Sequence, residues 1–158
     1  MPQLPDAIFR RRLDAEYAEL ERLKIPFTSN LDRTECTFEL SAKGLAKENG
    51  VIIVIDKHKV RLHILRSYPY AGGLEVAWIT PIFHPNIRAE DGRVCIQLLN
   101  EWAATQGLAD VYAGLKQLLE NPNPADPLDP VAAEYFRQHP DVLTREDVPQ
   151  RRMPRVVS

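Results

Sequence analysis

A chain of 158 residues, 44% apolar and 27% charged, is long enough for one domain with its own core and needs no disulfide to hold it. A net charge of −2 excludes a general electrostatic pull toward nucleic acid or an anionic membrane. No apolar run approaches the length of a membrane span, and the opening Met1-Pro2-Gln3-Leu4-Pro5-Asp6 lacks the charged and apolar regions of a secretory signal, so a cytoplasmic protein is expected.

Residues 6–24 read as an amphipathic helix. Phe9, Leu13, Tyr17 and Leu20 recur at helical spacing among Arg10, Arg11, Arg12, Asp14 and Glu21, with Asp6 as N-cap and Pro26 as the stop. Strands follow. In 34–40, Cys36, Phe38 and Leu40 alternate with Glu35, Thr37 and Glu39, which makes Cys36 an inward-facing strand residue. Residues 51–56 are β-branched, residues 60–65 alternate again, and Lys57-His58-Lys59 between them reads as a hairpin link. A fourth strand is expected at 75–80, carrying Trp78.

From Pro81 to Trp102 the pattern is irregular. Residues 108–120 then carry a wide apolar stripe, Leu108, Val111, Tyr112, Leu115, Leu118 and Leu119, ended by Asn121-Pro122-Asn123-Pro124. A short helix over 130–138 opens with Asp129 as cap and Pro130 at its first position. Pro140, Pro149 and Pro154 argue against a further long helix. Because the strands run together instead of alternating with helices, the fold class is α+β: an N-terminal helix, a four-stranded antiparallel meander, an irregular segment and two more helices. The expected core is 1–140, with 141–158 as a loosely ordered extension.

The two cysteines, Cys36 and Cys95, have neither the spacing nor the companions of a zinc site. The irregular segment is where chemistry is expected, since functional residues concentrate on loops held by a rigid scaffold. Cys95 follows the Asp91-Gly92 turn, and Asn86 offers an amide able either to hold an oxyanion or to brace a loop.

His84-Pro85-Asn86, followed by Gly92 and Cys95, resembles the active-site signature of ubiquitin-conjugating enzymes. Tyr68-Pro69 upstream, Trp102 after the cysteine and the run Asn121 to Leu128 stand in that family's order. The resemblance implies the UBC-like fold and a role for each residue. Cys95 is the nucleophile that receives a ubiquitin-like modifier from an activating enzyme as a thioester. Asn86 steadies the loop or stabilises the oxyanion. Asp126 positions the incoming lysine and favours its neutral form. His84 and Pro85 support the loop, and Trp102 is a packing anchor. Arg10, Arg11 and Arg12 on the first helix would meet the activating enzyme. The 110–117 face of the central helix, with Ala113 and Gln117, would cradle the modifier. No metal and no nucleotide of the chain's own is implied.

The chain also departs from the family. The loop from Tyr70 to Glu75 and the loop from Ala103 to Gly107 lack a familiar RING-binding pattern, so a ligase partner, if there is one, is not expected to be of that type. Cys95 lies nine residues after Asn86, one more than is usual, and the C-terminal helices stop early. This compact form resembles prokaryotic conjugating enzymes encoded beside their own modifier. Two rival readings stay open. One is a catalytically idle UBC- or RWD-like binding module. The other is a cysteine protease using Cys95, His84 and Asp126.

Overall fold

The computed structural model describes residues 2–94, 99 and 101–144. Helix α1 spans Asp6–Arg22 and buries Phe9, Leu13, Tyr17 and Leu20, the stripe its periodicity marks. Its N-cap is Pro5 and no side chain caps it. Asp6 is instead the first helical residue, where a carboxylate suits the helix dipole, and it pairs with Arg66.

Strands β1 (Phe27–Ser29), β2 (Glu35–Glu48), β3 (Val51–Ile64) and β4 (Leu74–Trp78) form one antiparallel meander in chain order. The hairpin expected at Lys57-His58-Lys59 is absent. Those residues lie inside β3, where Lys57 and Lys59 face solvent and His58 faces inward, so the alternation runs straight through. The reversal lies earlier, at Asn49-Gly50, where both residues have positive φ (51° and 77°) and join Glu48 to Val51 as a two-residue turn. A β-bulge between Ser41 and Gly44 re-aims the long β2 strand. β1 is only three residues long, too short to show a period.

Helix α2 (Leu108–Glu120) and helix α3 (Pro130–Gln138) match their expected bounds, and Asp129 caps α3 by accepting from the Val131 and Ala132 N–H groups. The inner sheet face, with Cys36, Phe38, Leu40, Val60, Leu62 and Ile64, packs against α1 and against Leu108, Val111, Leu115 and Leu119 of α2. A smaller cluster gathers Leu45, Val54, Phe83, Ala132, Phe136 and Val142, fixing α3 beside the irregular segment. Among the described residues no helix is long and apolar enough to cross a membrane.

Candidate functional site

The turn before Cys95 is built first by backbone and charge. Gly92 has φ 73°, and a Cβ there would fall 2.2 Å from the Trp78 carbonyl oxygen, so only glycine fits. The Trp78 N–H donates to the Gly92 carbonyl at 2.8 Å. Arg88 grips Asp91 through both carboxylate oxygens, and this contact holds the Asp91 carboxyl well below the usual carboxylate range. Val94 bridges back to Ile87. Cys95 itself lies outside the described residues, as does the stretch from 145 to 158.

His84 and Asn86 are both buried, at 1% and 3% exposure. The His84 Nε2 donates to the Leu118 carbonyl of α2 at 2.9 Å, and its Nδ1 accepts from the Asn86 N–H at 3.0 Å. One neutral tautomer satisfies both bonds. Burial, opposed by the Leu118 bond and reinforced by the nearby His58, pushes His84 down to about 4. Both ring nitrogens of His84 are thus spent on tying this turn to α2 and to Asn86. Pro85 contributes its carbonyl, which accepts from the Leu128 and Asp129 N–H groups and ties the start of α3 to this turn.

The Asn86 side chain is committed in two directions. Its Nδ2 donates to the Asn123 carbonyl and its Oδ1 accepts from the Asn123 N–H, each at 2.8 Å. Of the two roles the sequence leaves open for this amide, the geometry supports the brace. It clamps the turn before Cys95 to the proline-rich segment carrying Asp126. That segment is pinned again where Arg137 donates to the Pro124 carbonyl at 2.6 Å. Asp126 is exposed, and its carboxylate takes no hydrogen bond from the described residues, so it is not spent on capping its own turn.

Other expected residues separate into surface and frame. Arg10 and Arg11 are exposed on α1, although Arg10 also donates to the Asp32 carbonyl at 2.9 Å. Arg12 is turned inward. It pairs with Glu16 at 2.7 Å and donates to the Gln106 carbonyl at 2.6 Å, so it is a tie within the chain and not a free docking cation. Ala113 and Gln117 lie exposed one turn apart on α2. Trp102 donates from Nε1 to the Pro69 carbonyl at 2.7 Å. With Tyr70, Gly72, Gly73, Leu74 and Leu99 it lines a cavity of about 80 Å³.

Sequence reasoning missed His58 and Glu16. His58 is 2% exposed, bonds the Ala42 carbonyl through Nε2 at 3.0 Å, and is pushed down by burial. Glu16 was legible in principle: it sits one turn from Leu13 and Leu20, at the edge of the buried stripe.

The buried histidines make stability depend on acid. A lowered folded pKa means the unfolded chain binds protons first, so the contribution is intact above the ordinary value near 6.5 and is lost as pH falls toward 4. Protonating His84 Nδ1 also breaks its bond from Asn86. Denaturant unfolding is expected to show a loss of about 2 kcal/mol from His84 alone between pH 7.5 and pH 5, before most carboxylates titrate. An unchanged midpoint over that range would mean the ring is not held neutral.

A family model described as ubiquitin-conjugating enzyme matches residues 12–148. The chain is 34% identical over 88 residues to ubiquitin-conjugating enzyme E2 K of Bos taurus, covering 55% of this chain and 44% of that protein. It is 40% identical over 77 residues to ubiquitin-conjugating enzyme E2 5 of Arabidopsis thaliana, covering 48% and 41%. To ubiquitin conjugating enzyme E2 B of Dictyostelium discoideum it is 28% identical over 108 residues, or 68% of each chain. The match thus spans under half the length of the first two relatives and about two thirds of the third. Among solved structures, a Toxoplasma gondii ubiquitin conjugating enzyme E2 domain superposes with a TM-score of 0.69 over 85% of this chain and 90% of that one, at 24% identity, which establishes the shared fold.

Proposed function

The chain belongs to the ubiquitin-conjugating enzyme family, and we propose that it carries a ubiquitin-like protein as a thioester on Cys95 and transfers it to a lysine amine. In the loading step the Cys95 thiolate attacks the modifier's C-terminal carbonyl and expels the activating enzyme's thiolate. In the transfer step a neutral amine attacks that carbonyl, loses its proton and expels the Cys95 thiolate, leaving an amide. The chain's share is placement. Asn86 holds the turn before Cys95 against Asn123, which brings the segment of Asp126 to the same side.

That clamp is the observation that carries the reading. Asp126, exposed and without a hydrogen bond from the described residues, is free to accept a proton or to orient a lysine. Arg10 and Arg11 on α1 offer a basic face to the activating enzyme, and Ala113 and Gln117 lie on the α2 face assigned to the modifier. The loops from Tyr70 to Glu75 and from Ala103 to Gly107 are the surface such a carrier would offer a ligase. A cytoplasmic site of action fits these partners.

The direct test incubates the protein with an activating enzyme, its modifier and ATP. A reducible adduct on this chain supports the carrier. No adduct with any modifier leaves an idle binding module, and consumption of the modifier without an adduct points to a protease.

Asp126 gives a sharper expectation. A free lysine amine titrates near 10.4, so little of it is reactive at neutral pH. Asp126→Ala is expected to slow discharge to free lysine about tenfold near pH 7, with the defect shrinking toward pH ~9.5 as more amine becomes neutral unaided. Single-turnover discharge of the purified thioester measures it. A defect constant across that range would leave Asp126 with positioning alone.

A further inference from the structure

Asp126 stands in the run from Asn123 to Leu128, between α2 and α3, where no helix or strand holds it. Its carboxylate takes no hydrogen bond from the described residues, so its place is set by its neighbours in the chain. Downstream, the Leu128 and Asp129 N–H groups donate to the Pro85 carbonyl at 2.8 and 3.1 Å. Upstream, Asn123 is clamped by the Asn86 side chain.

The peptide between Pro124 and Ala125 is held on both sides. Its N–H, on Ala125, donates to Asn123 Oδ1 at 3.1 Å. Its carbonyl, on Pro124, accepts from Arg137 Nη2 at 2.6 Å. With φ fixed by the rings of Pro124 and Pro127, a held peptide leaves Asp126 little freedom.

Arg137 is well placed to hold that carbonyl. Its Nη1 donates to Glu134 Oε2 at 3.2 Å, and Glu134 Oε1 accepts from Gln138 Nε2 at 3.2 Å. The guanidinium is a rigid fork, so pairing one arm with Glu134 aims the other. The helix beneath is firm. Phe136, the residue before Arg137, packs with Leu45, Val54 and Phe83, and its ring lies 6.2 Å from the His84 ring. Arg137 thus carries the position of α3 and of the His84 turn into the Asp126 segment. A cation in the last turn of a helix also suits the helix dipole, but that does not account for a side chain that reaches back 13 residues to one carbonyl.

We propose that Arg137 is a positioning residue for transfer to the amine, acting through Asp126 by holding the Pro124–Ala125 peptide. The proposal rests on the reading of this chain as a thioester carrier in which Asp126 meets the incoming lysine.

The test is single-turnover discharge of the purified thioester to free lysine between pH ~7 and pH ~9.5, on the full chain. Rate constants are taken on the charged fraction alone, so lost fold lowers the amount of thioester and lost positioning lowers the rate constant. Arg137→Ala is expected to slow discharge about fivefold near pH 7, within the loss expected for Asp126→Ala, and its defect should shrink with rising pH in the same way. Arg137→Ala with Asp126→Ala should discharge no more slowly than Asp126→Ala alone. The ion pair with Glu134 is about half exposed and of the kind that adds little to stability, so Arg137→Ala is expected to fold. If it does not, Arg137→Lys, whose single ammonium lacks the fork that serves Glu134 and the Pro124 carbonyl together, is expected to show the same pH-dependent defect by a smaller factor. A wild-type rate, a defect constant across the pH range, or a defect that multiplies with that of Asp126→Ala would overturn the proposal. Failure of the underlying reading shows separately: a wild type that forms no thioester removes the carrier, an Asp126→Ala protein without a defect removes the acceptor, and either takes the role of Arg137 with it.

Discussion

Cys95→Ala is expected to abolish the reducible adduct with an activated modifier, while Cys36→Ala leaves charging within about twofold of wild type. The structure gives the reason for the second half. Cys36 is 0% exposed in β2, opposite Leu62 on β3 and Ser29 on β1. Burial pushes its thiol up to about 12, against a smaller opposing effect from the Tyr17 hydroxyl. Little thiolate forms there near neutral pH, and no modifier terminus could reach it. Cys36→Ala removes one buried sulfur and is expected to lower stability by about 1 kcal/mol without touching the reaction. Cys95→Lys should replace the reducible thioester by an amide that survives thiol. Gel-resolved charging with and without reductant checks all three variants. Charging that vanishes in a folded Cys36→Ala protein would reverse the assignment.

Where the chain signals itself by period, the sequence was readable. The α1 stripe, the Cys36-Phe38-Leu40 alternation and the α2 bounds all follow from side chains that must face one core. The failures have physical causes. His58 looked like a turn residue between two lysines, yet it is an inward strand residue whose polarity is met by the Ala42 carbonyl. The actual reversal is Asn49-Gly50, an Asn-Gly pair of the kind that two-residue hairpins favour. At the site, residue identity showed that Asn86 mattered but not whether it faced a reacting oxygen or a backbone. That choice depends on Asn123, 37 residues away, and no local pattern contains it. Arg12 shows the same limit: three successive arginines look alike in sequence, and only packing against Glu16 and Gln106 turns one of them inward.

Asn86→Ala is expected to leave charging nearly intact and slow discharge to lysine about a hundredfold. Both hydrogen bonds to Asn123 are lost, each worth about 1 kcal/mol, so unfolding stability should fall by about 2 kcal/mol while the His84 bond to the Asn86 backbone survives. Loading suffers less because the activating enzyme presents its own thioester, whereas aminolysis depends on this chain to place both the thiol and the acceptor residue. The decisive measurement is the double variant. If Asn86 works by holding the segment that carries Asp126, then freeing that segment already forfeits what Asp126 contributes. Asn86→Ala with Asp126→Ala should then discharge no more slowly than Asn86→Ala alone. If Asn86 instead donates directly to the oxyanion, the two defects act on different atoms and their factors should multiply, about a further tenfold at neutral pH. The geometry favours the first outcome, since the amide oxygen and one amide hydrogen are already spent on Asn123 and the side chain is 3% exposed. Multiplying defects would mean that the clamp opens during transfer and that the amide turns to the reacting carbonyl.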